Sequence, residues 1–221
     1  MPAIYLTEQD VDRLITVPEC IPVVEEAMRH FGEGTAVNQP RRRLRSGSFT
    51  LQMMVSAIGP MGFGGYKTGG SASAYGGAAS GAAVRARTGA GSSTKIWLYS
   101  AENGALVAAL DASRLGAVRT GAATGVGAKY QARPDASTVG VFGSLGIPVT
   151  ATTEPQQAAA ADIVITITNA QQPVLKGEWL QPGAFVAAAG GNSLIRGECD
   201  AEVFRRAAVV TADSIDDAKV E

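Results

Sequence analysis

The sequence predicts an α/β protein with a parallel-sheet domain and a second domain of mixed α+β structure. In the carboxyl-terminal part, buried strands alternate with short helical segments and end on Thr, Gly or Asn, and the last strand is predicted at residues 208–211. In the amino-terminal part, two amphipathic helices precede strands joined by tight turns at Ser46-Gly47 and Asn103-Gly104. Repeated β-α-β units favour a parallel sheet, whereas hairpins favour an antiparallel one. We therefore divide the chain into residues 1–132 and 133–221.

Composition narrows the functional classes. The chain has 221 residues, 46% of them hydrophobic, so it can bury the core of one large or two small domains. Its net charge of -1 gives no overall attraction to nucleic acid or to an anionic membrane, and its start does not resemble a signal peptide. Two isolated cysteines, Cys20 and Cys199, predict a reducing, cytoplasmic location. The single histidine, His30, excludes a histidine-rich metal site.

The chain begins with a short strand followed by two helices. Thr7 with Asp10, and Thr16 with Glu19, have the three-residue spacing of capping boxes. His30 lies near the end of the second helix, where a partial positive charge complements the helix dipole. We interpret His30 as structural.

A run of arginines precedes the first predicted hairpin. In a strand, Arg41 and Arg43 would project from one face and Arg42 from the other. An arginine held on a rigid strand can clamp a carboxylate through paired hydrogen bonds, and a solvated strand edge is the alternative. The run is short and has no interleaved aromatic residue, so we do not expect a nucleic-acid site.

Residues 59–93 are rich in Gly, Ala and Ser. Such a segment has too little apolar mass for a core of its own, and we predict a loop, an edge strand or a segment ordered by a ligand. Lys67 lies within it, close to several glycines. Its amine can reach a substrate carboxylate or an imine-forming carbonyl, and a solvated surface lysine is the alternative.

The next helix, capped by Asp111 or Ser113, carries Arg119 and Thr120 among alanines and glycines. A charged side chain in such surroundings has few internal partners, so Arg119 is a candidate functional residue. Glycines such as Gly121 cost roughly 1 kcal/mol each in helix propensity. Close packing or the approach of a ligand would offset that cost.

Candidate cofactor-binding residues lie where the predicted parallel strands end. The strand at residues 137–142 stops at Gly143, and glycine lets backbone N–H groups approach a pyrophosphate closely. An ordinary strand-to-loop turn is the alternative. Because cofactors bind at the carboxyl edge of a parallel sheet, Gly143, Ser144, Thr166 and Gly191 are the candidates.

Strings spread over nearly the whole chain resemble the ornithine cyclodeaminase and mu-crystallin family. They are Gln39-Pro40-Arg41-Arg42-Arg43, Gly65-Tyr66-Lys67, Leu110 through Thr120, Arg133 through Ser137, Asp162-Ile163-Val164, Pro173 through Leu180, and Gly183 through Asp200. The resemblance implies a homodimer with a substrate and dimerisation domain and a Rossmann-like domain that binds NAD or NADP. It implies an amino-acid dehydrogenase or imine reductase, an ornithine cyclodeaminase, or a non-catalytic ligand-binding protein.

The resemblance also implies roles for individual residues. Arg41 or Arg43, together with Lys67 and Arg119, matches the family's site for the substrate carboxylate. Thr120 matches a residue beside the cofactor. By the same resemblance, Arg119 also contacts the cofactor. Lys67 is in addition a candidate for proton transfer. We expect Lys67 and Arg119 to share one cleft opposite the nicotinamide.

The chain departs from the family after Gly143, which matches the first glycine of its Gly-x-Gly-x-Gln-Ala motif. The following helix, and the strand with its ribose-binding acid, should stand between Ser144 and Leu145. We expect the complete polypeptide to contain them, and a peptide with Ser144 bonded directly to Leu145 would contradict this.

A second departure concerns two carboxylates. Asn192 falls where ornithine cyclodeaminase has an aspartate thought to help proton transfer, and Gln52 lies near the position of a glutamate. An amide cannot accept a proton near pH 7, so simple hydride transfer is favoured over deamination with cyclisation. Asn192 is then the candidate for orienting the amine or a water molecule.

Overall fold

The computed structural model describes residues 2–72, 94–143, 150–191 and 197–218. Contacts divide the chain into two compact units, Met1–Ala122 and Ala123–Glu221, which are described separately. This division falls inside a helix, whereas the boundary predicted from the sequence follows that helix. No helix in the described ranges is long and apolar enough to cross a membrane.

The first unit contains a seven-stranded sheet of order β1-β7-β6-β5-β4-β2, with β3 also paired to β4. Only the β1–β7 pair among these is parallel. The turns at Gly47 and Gly104 have φ of 56° and 71°, as their predicted hairpins require. The strands are β1 Ile4–Leu6, β2 Ala36–Asn38, β3 Arg42–Ser46, β4 Phe49–Ile58, β5 Phe63–Ala72, β6 Thr94–Ser100 and β7 Leu106–Asp111.

The helices of this unit are α1 Glu8–Leu14, α2 Val17–Gly32 and α3 Ser113–Gln131, which continues into the second unit. Both predicted capping boxes are confirmed. The cap of α3 is not the predicted Asp111 or Ser113. The backbone N–H groups of Ser113 and Arg114 donate instead to the carboxylate of Glu8, at 2.7 and 3.0 Å. Asp111 instead accepts hydrogen bonds from Lys95 and Tyr5. The sequence could not reveal this cap, since Glu8 is distant along the chain.

The glycine-rich segment is partly a central strand. Its residues 63–72 form β5, which pairs on both sides with β4 and β6, so the prediction of a loop or edge strand is wrong for this part. A Cβ on Gly65 would lie 2.2 Å from the carbonyl oxygen of Trp97. The small residues therefore let neighbouring strands approach closely, and two ladders of hydrogen bonds compensate for the low apolar content. Residues 73–93 lie outside the described residues.

The second unit contains a parallel three-stranded sheet of order β10-β9-β8, which confirms the predicted α/β class. Val164 and Leu175 are fully buried in its core. The strand predicted at 208–211 is wrong, because this segment has no strand pairing and Val209 is 74% exposed. The elements are β8 Val139–Gly143, β9 Ile163–Ile167, β10 Phe185–Ala188, α4 Pro155–Ala159, α5 Ala201–Arg206 and α6 Ile215–Ala218.

Asp162 organises the amino-terminal edge of this sheet. It directly precedes β9, and its carboxylate accepts the N–H groups of Ser137 and Thr138 just before β8, at 2.9 and 3.0 Å. The Thr138 hydroxyl and the Arg133 guanidinium also donate to it, at 2.8 and 2.5 Å. These donors hold the pKa of Asp162 well below its usual range, the Ser137 amide contributing most. The carboxylate thus ties the starts of two strands together.

Candidate active site

Lys67 projects from the middle of the large sheet towards a cavity. In the register of β5 it stands opposite Met54 on β4 and Ile96 on β6. The side of the sheet that carries these three residues is called the Lys67 face below. A Cβ on Gly116 of α3 would lie 3.6 Å from the Lys67 Nζ, so the ammonium group lies against the first turns of that helix.

The cavity has a volume of about 550 Å³, and Arg119 lines it together with Lys67. The structure therefore brings these two predicted residues to one site. Most of the remaining lining is apolar and comes from α1, α2 and α3. The lining residues other than Lys67 and Arg119 are Leu14, Ile15, Glu19, Cys20, Val23, Val24, Ile96, Leu115 and Gly116.

The surroundings of Lys67 disfavour its charged form. Burial lowers its pKa from the ordinary value, and the positive charges of Arg119 and Arg41 lower it further. Among the described residues, no carboxylate offsets this effect on Lys67. A cluster of one ammonium and two guanidinium groups around a half-buried position attracts an anion, and a carboxylate suits it geometrically.

The acidic group in the cavity lining is already engaged. Glu19 accepts hydrogen bonds from the N–H and hydroxyl groups of Thr16, at 3.1 and 2.6 Å, as part of the cap of α2. Within the described lining, no other carboxylate is available to pair with a second ammonium group of a ligand. Cys20 is buried beside this cap, and burial raises the pKa of its thiol despite the opposing charge of Arg119.

The two candidate arginines before and within β3 differ in position. Arg43 stands opposite Gln52 in the register of β4, and Gln52 lies two residues from Met54, so Arg43 is on the Lys67 face. Arg41 precedes the strand and is the arginine whose charge acts on Lys67. The electrostatic arrangement therefore favours Arg41 as the partner of Lys67 and Arg119.

Thr120 follows Arg119 on α3, and its hydroxyl donates to the carbonyl oxygen of Gly116 at 2.7 Å. Its contact with a cofactor stays a prediction. Gly121 lacks close packing, since a Cβ there would meet no atom within 4 Å, and the alternative that a ligand approaches it stays a prediction. Gly127 does, because its Cβ would lie 3.3 Å from the Phe185 ring.

In the second unit, Gly143 ends β8 in a backbone conformation that favours glycine. Its φ is 138°, and a Cβ would lie 2.6 Å from the carbonyl oxygen of Ile167, the facing residue of β9. The chain therefore needs glycine where the candidate phosphate turn begins. Ser144 and Asn192 lie outside the described residues, so their roles stay predictions.

The ends of β9 and β10 are held by a residue that the sequence analysis missed. Glu198 is 3% exposed, and its carboxylate accepts the hydroxyl of Thr166 at 3.1 Å and the N–H of Gly191 at 3.1 Å. Thr166 is itself fully buried, so its side chain serves the interior of the unit and its cofactor role stays a prediction. No sequence periodicity marks Glu198, which is followed at alternate positions by two other acids, Asp200 and Glu202, around the start of α5.

A metal centre does not emerge from the described part of the chain, where no group of three or more His, Cys, Asp or Glu residues is placed to hold an ion. The candidate site consists instead of cationic and neutral donor groups. Such groups bind carboxylates and phosphates rather than metal ions.

Comparisons with known proteins show which family this sequence matches. The model of the ornithine cyclodeaminase/mu-crystallin family matches residues 2–146 and 142–221. The two matched segments meet at residues 142–146, where the sequence departs from the expected motif. An alanine dehydrogenase of Archaeoglobus fulgidus is 27% identical over 260 aligned residues, covering 96% of this chain and 74% of the relative.

Two further comparisons are a relative that matches over a shorter segment and a solved structure. The ketimine reductase mu-crystallin of Mus musculus is 41% identical over 59 residues, which cover 27% of this chain and 18% of the relative. The structure of an archaeal alanine dehydrogenase dimer with bound NAD matches with a TM-score of 0.80 and 25% identity, covering 94% of this chain and 73% of that one. Since the family model matches both units, this chain belongs to the ornithine cyclodeaminase/mu-crystallin family.

Proposed function

We propose that the protein is an NAD(P)-dependent oxidoreductase that transfers hydride between the nicotinamide and the α-carbon of a small amino acid or its imine. The observation that carries the proposal is the placement of Lys67 and Arg119 in one cavity, with the charge of Arg41 also acting on Lys67. This arrangement supports a carboxylate-bearing substrate. The related alanine dehydrogenase and ketimine reductase support the reaction class.

The strand ends of the second unit fit a dinucleotide. A Cβ on Gly143 would fill space next to Ile167, and a Cβ on Gly190 would lie 2.5 Å from both the amide nitrogen and the carbonyl oxygen of Thr168. Only glycine fits these two strand ends, and glycine is also the residue that lets the backbone approach a pyrophosphate closely. Gly143, Ser144 and Gly191, with Thr166, would hold NAD or NADP, which supplies the hydride acceptor or donor when bound.

The residues that bind and orient the substrate would do the rest of the chemistry. Arg119, with Arg41 or Arg43, would hold the substrate carboxylate and fix the α-carbon for reaction. Lys67 would share the carboxylate or transfer a proton, and its lowered pKa brings that transfer closer to neutral pH. Asn192 would orient the amine or a water molecule by hydrogen bonding.

Ornithine cyclodeaminase activity is the second candidate, because the family includes it. Two features speak against it. Gln52 and Asn192 are amides where a proton acceptor would be needed, and Glu19 is bound to the cap of α2 rather than available for a second ammonium group. A ligand-binding protein without turnover is the third candidate, supported only by those same amides.

We also propose a homodimer. The side of the large sheet opposite the Lys67 face exposes apolar side chains, including Leu44 at 64% and Phe49 at 43%, and the stacked rings of Tyr66 and Trp97 lie on the same side. An exposed apolar sheet face of this kind fits a second copy of the chain. Size-exclusion chromatography with light scattering should give the mass of a dimer, and Leu51→Lys on this face should give a monomer.

A cytoplasmic location is proposed from the two cysteines, which are both free thiols. No role with nucleic acid or membranes is proposed.

One experiment distinguishes the three candidate functions. The purified protein is incubated with NAD or NADP and a panel of amino acids, and in reverse with NADH or NADPH, 2-oxo acids and ammonia or with cyclic imines. Absorbance at 340 nm and ammonia are followed together. Net cofactor reduction or oxidation supports the proposal, ammonia release without it indicates cyclodeaminase, and the absence of both with every substrate contradicts an enzymatic role.

A further inference from the structure

The Glu198 carboxylate collects hydrogen bonds from two strand ends at once. Its Oε1 accepts the N–H and hydroxyl of Thr168, at 2.5 and 2.8 Å, beyond the end of β9. Its Oε2 accepts the N–H groups of Gly190 and Gly191, at 2.7 and 3.1 Å, beyond the end of β10, and the hydroxyl of Thr166 at 3.1 Å. The residue is 3% exposed. A buried carboxylate with this many donors holds the groups that donate to it in one arrangement.

These contacts all lie at one edge of the sheet. β8, β9 and β10 are parallel, so Thr168, Gly190 and Gly191 belong to the carboxyl edge. In open α/β sheets, ligands bind outside this edge. The peptide groups that leave β9 and β10 are therefore the ones that a dinucleotide would meet, and Glu198 fixes their direction from inside the unit.

We propose that Glu198 is a positioning residue for the nicotinamide dinucleotide, acting by aligning the peptide groups at the ends of β9 and β10. The proposal rests on the proposed function, because it concerns the cofactor of that reaction. Glu198 does not itself contact the cofactor in this account. It holds Thr168 and Gly190 in one arrangement, which lowers the cost of ordering these turns when the cofactor binds.

Replacement by glutamine tests this account sharply. Each carboxylate oxygen accepts at least one backbone N–H, from Thr168 on one side and from Gly190 and Gly191 on the other. A glutamine has a single oxygen, so in either orientation its NH₂ group faces a backbone N–H. Glu198→Gln therefore keeps the size of the side chain and breaks one of the two strand-end connections.

Asp162 supplies the matched control. Its carboxylate also accepts several donors, from Arg133, Ser137 and Thr138, and it joins the starts of β8 and β9 at the amino-terminal edge of the same sheet. Asp162→Asn should destabilise the unit as Glu198→Gln does, without disturbing the edge that the cofactor would meet. The dissociation constants of NADH and NADPH are measured by fluorescence titration of the full chain, at a temperature where circular dichroism and light scattering match the parent.

We expect Glu198→Gln to raise the dissociation constant of the preferred cofactor about tenfold or more and Asp162→Asn to change it less than about threefold. Equal weakening in both variants would indicate general destabilisation and overturn the proposal, as would an unchanged constant in Glu198→Gln. Failure of the parent itself to bind either cofactor would overturn the proposed function and this inference together.

A second pair of variants applies if Glu198→Gln does not fold. Thr168→Val removes the hydroxyl that donates to Oε1 of Glu198 but leaves the backbone amide. Thr168→Ser keeps both the hydroxyl and the amide. Thr168→Val should weaken cofactor binding about threefold to tenfold, and Thr168→Ser should bind within about twofold of the parent. Equal affinity in the two Thr168 variants would contradict the positioning role.

Discussion

Replacing Lys67 by methionine should weaken ligand binding without weakening the fold. Methionine is similar in length and apolar, so it suits the half-buried position between Met54 and Ile96. It removes an ammonium group whose charge is opposed by burial and by Arg119 and Arg41. The unliganded Lys67→Met protein should therefore unfold at the same temperature as the parent or at a higher one.

The expected loss of binding free energy can be estimated from the interaction that the substitution removes. A hydrogen bond between a partly buried ammonium group and a carboxylate contributes about 1.5–3 kcal/mol. That range corresponds to a dissociation constant of a carboxylate ligand that is about 10- to 150-fold higher. The assay is competitive inhibition by a 2-oxo acid of the preferred reaction, or calorimetric titration of that ligand if turnover is slow.

Lys95→Met is the matched control. Lys95 stands on β6, on the side of the sheet opposite the Lys67 face, and forms an ion pair with Asp111 that raises its pKa. Its replacement should lower the unfolding temperature and leave the ligand affinity unchanged. If Lys67→Met instead lowered the unfolding temperature and kept full ligand affinity, Lys67 would be structural and the reasoning from its charge would be refuted.

Three further predictions use the same chain. Because the pKa of Lys67 is lowered in the unliganded protein, affinity for a carboxylate inhibitor should fall as the pH rises, with a midpoint pH below the ordinary pKa of lysine. Inhibitor titrations of Lys67→Arg should not show this fall, because arginine stays protonated. Gly143→Ala should cost about 2–5 kcal/mol in urea unfolding, because its φ is 138° and its Cβ would meet the Ile167 carbonyl, whereas Gly121→Ala in α3 should gain about 0.5–1 kcal/mol. Burial raises the pKa of Cys199 to about 11, so iodoacetamide at pH 8 should modify this thiol only after unfolding, as intact-mass spectrometry would show.

The parts of the fold that were predicted correctly depend on neighbours along the chain. The capping boxes at Thr7 and Thr16 are contacts between residues three positions apart, and the turns at Gly47 and Gly104 depend on local backbone conformation. The same holds for Arg43, whose face follows from strand alternation alone. These features depend only on residues close together along the chain, so they could be predicted from the sequence.

The parts that were missed depend on partners far along the chain. Glu8 caps α3, and Glu198 joins the ends of β9 and β10, yet both acids look like ordinary surface residues in the sequence. The central position of β5 depends on β4 and β6, which a count of its apolar residues does not reveal. For the site, residue types predicted Lys67 and Arg119 as candidates, but the effect of the Arg41 charge on Lys67 is visible only in the folded chain.

The electrostatics of Lys67 also link the fold of the first unit to its ligand. In the pH window between the lowered folded-state pKa and the ordinary unfolded value, the unfolded chain binds more protons, so stability of the unliganded protein rises with pH there. A bound carboxylate opposes this trend, because it favours the protonated amine and stabilises only the folded state. At 100 times its dissociation constant such a ligand adds about 2.7 kcal/mol. The stabilisation by ligand should therefore be greatest below the folded-state pKa of Lys67, and its excess over Lys67→Met should shrink as the pH rises above that pKa.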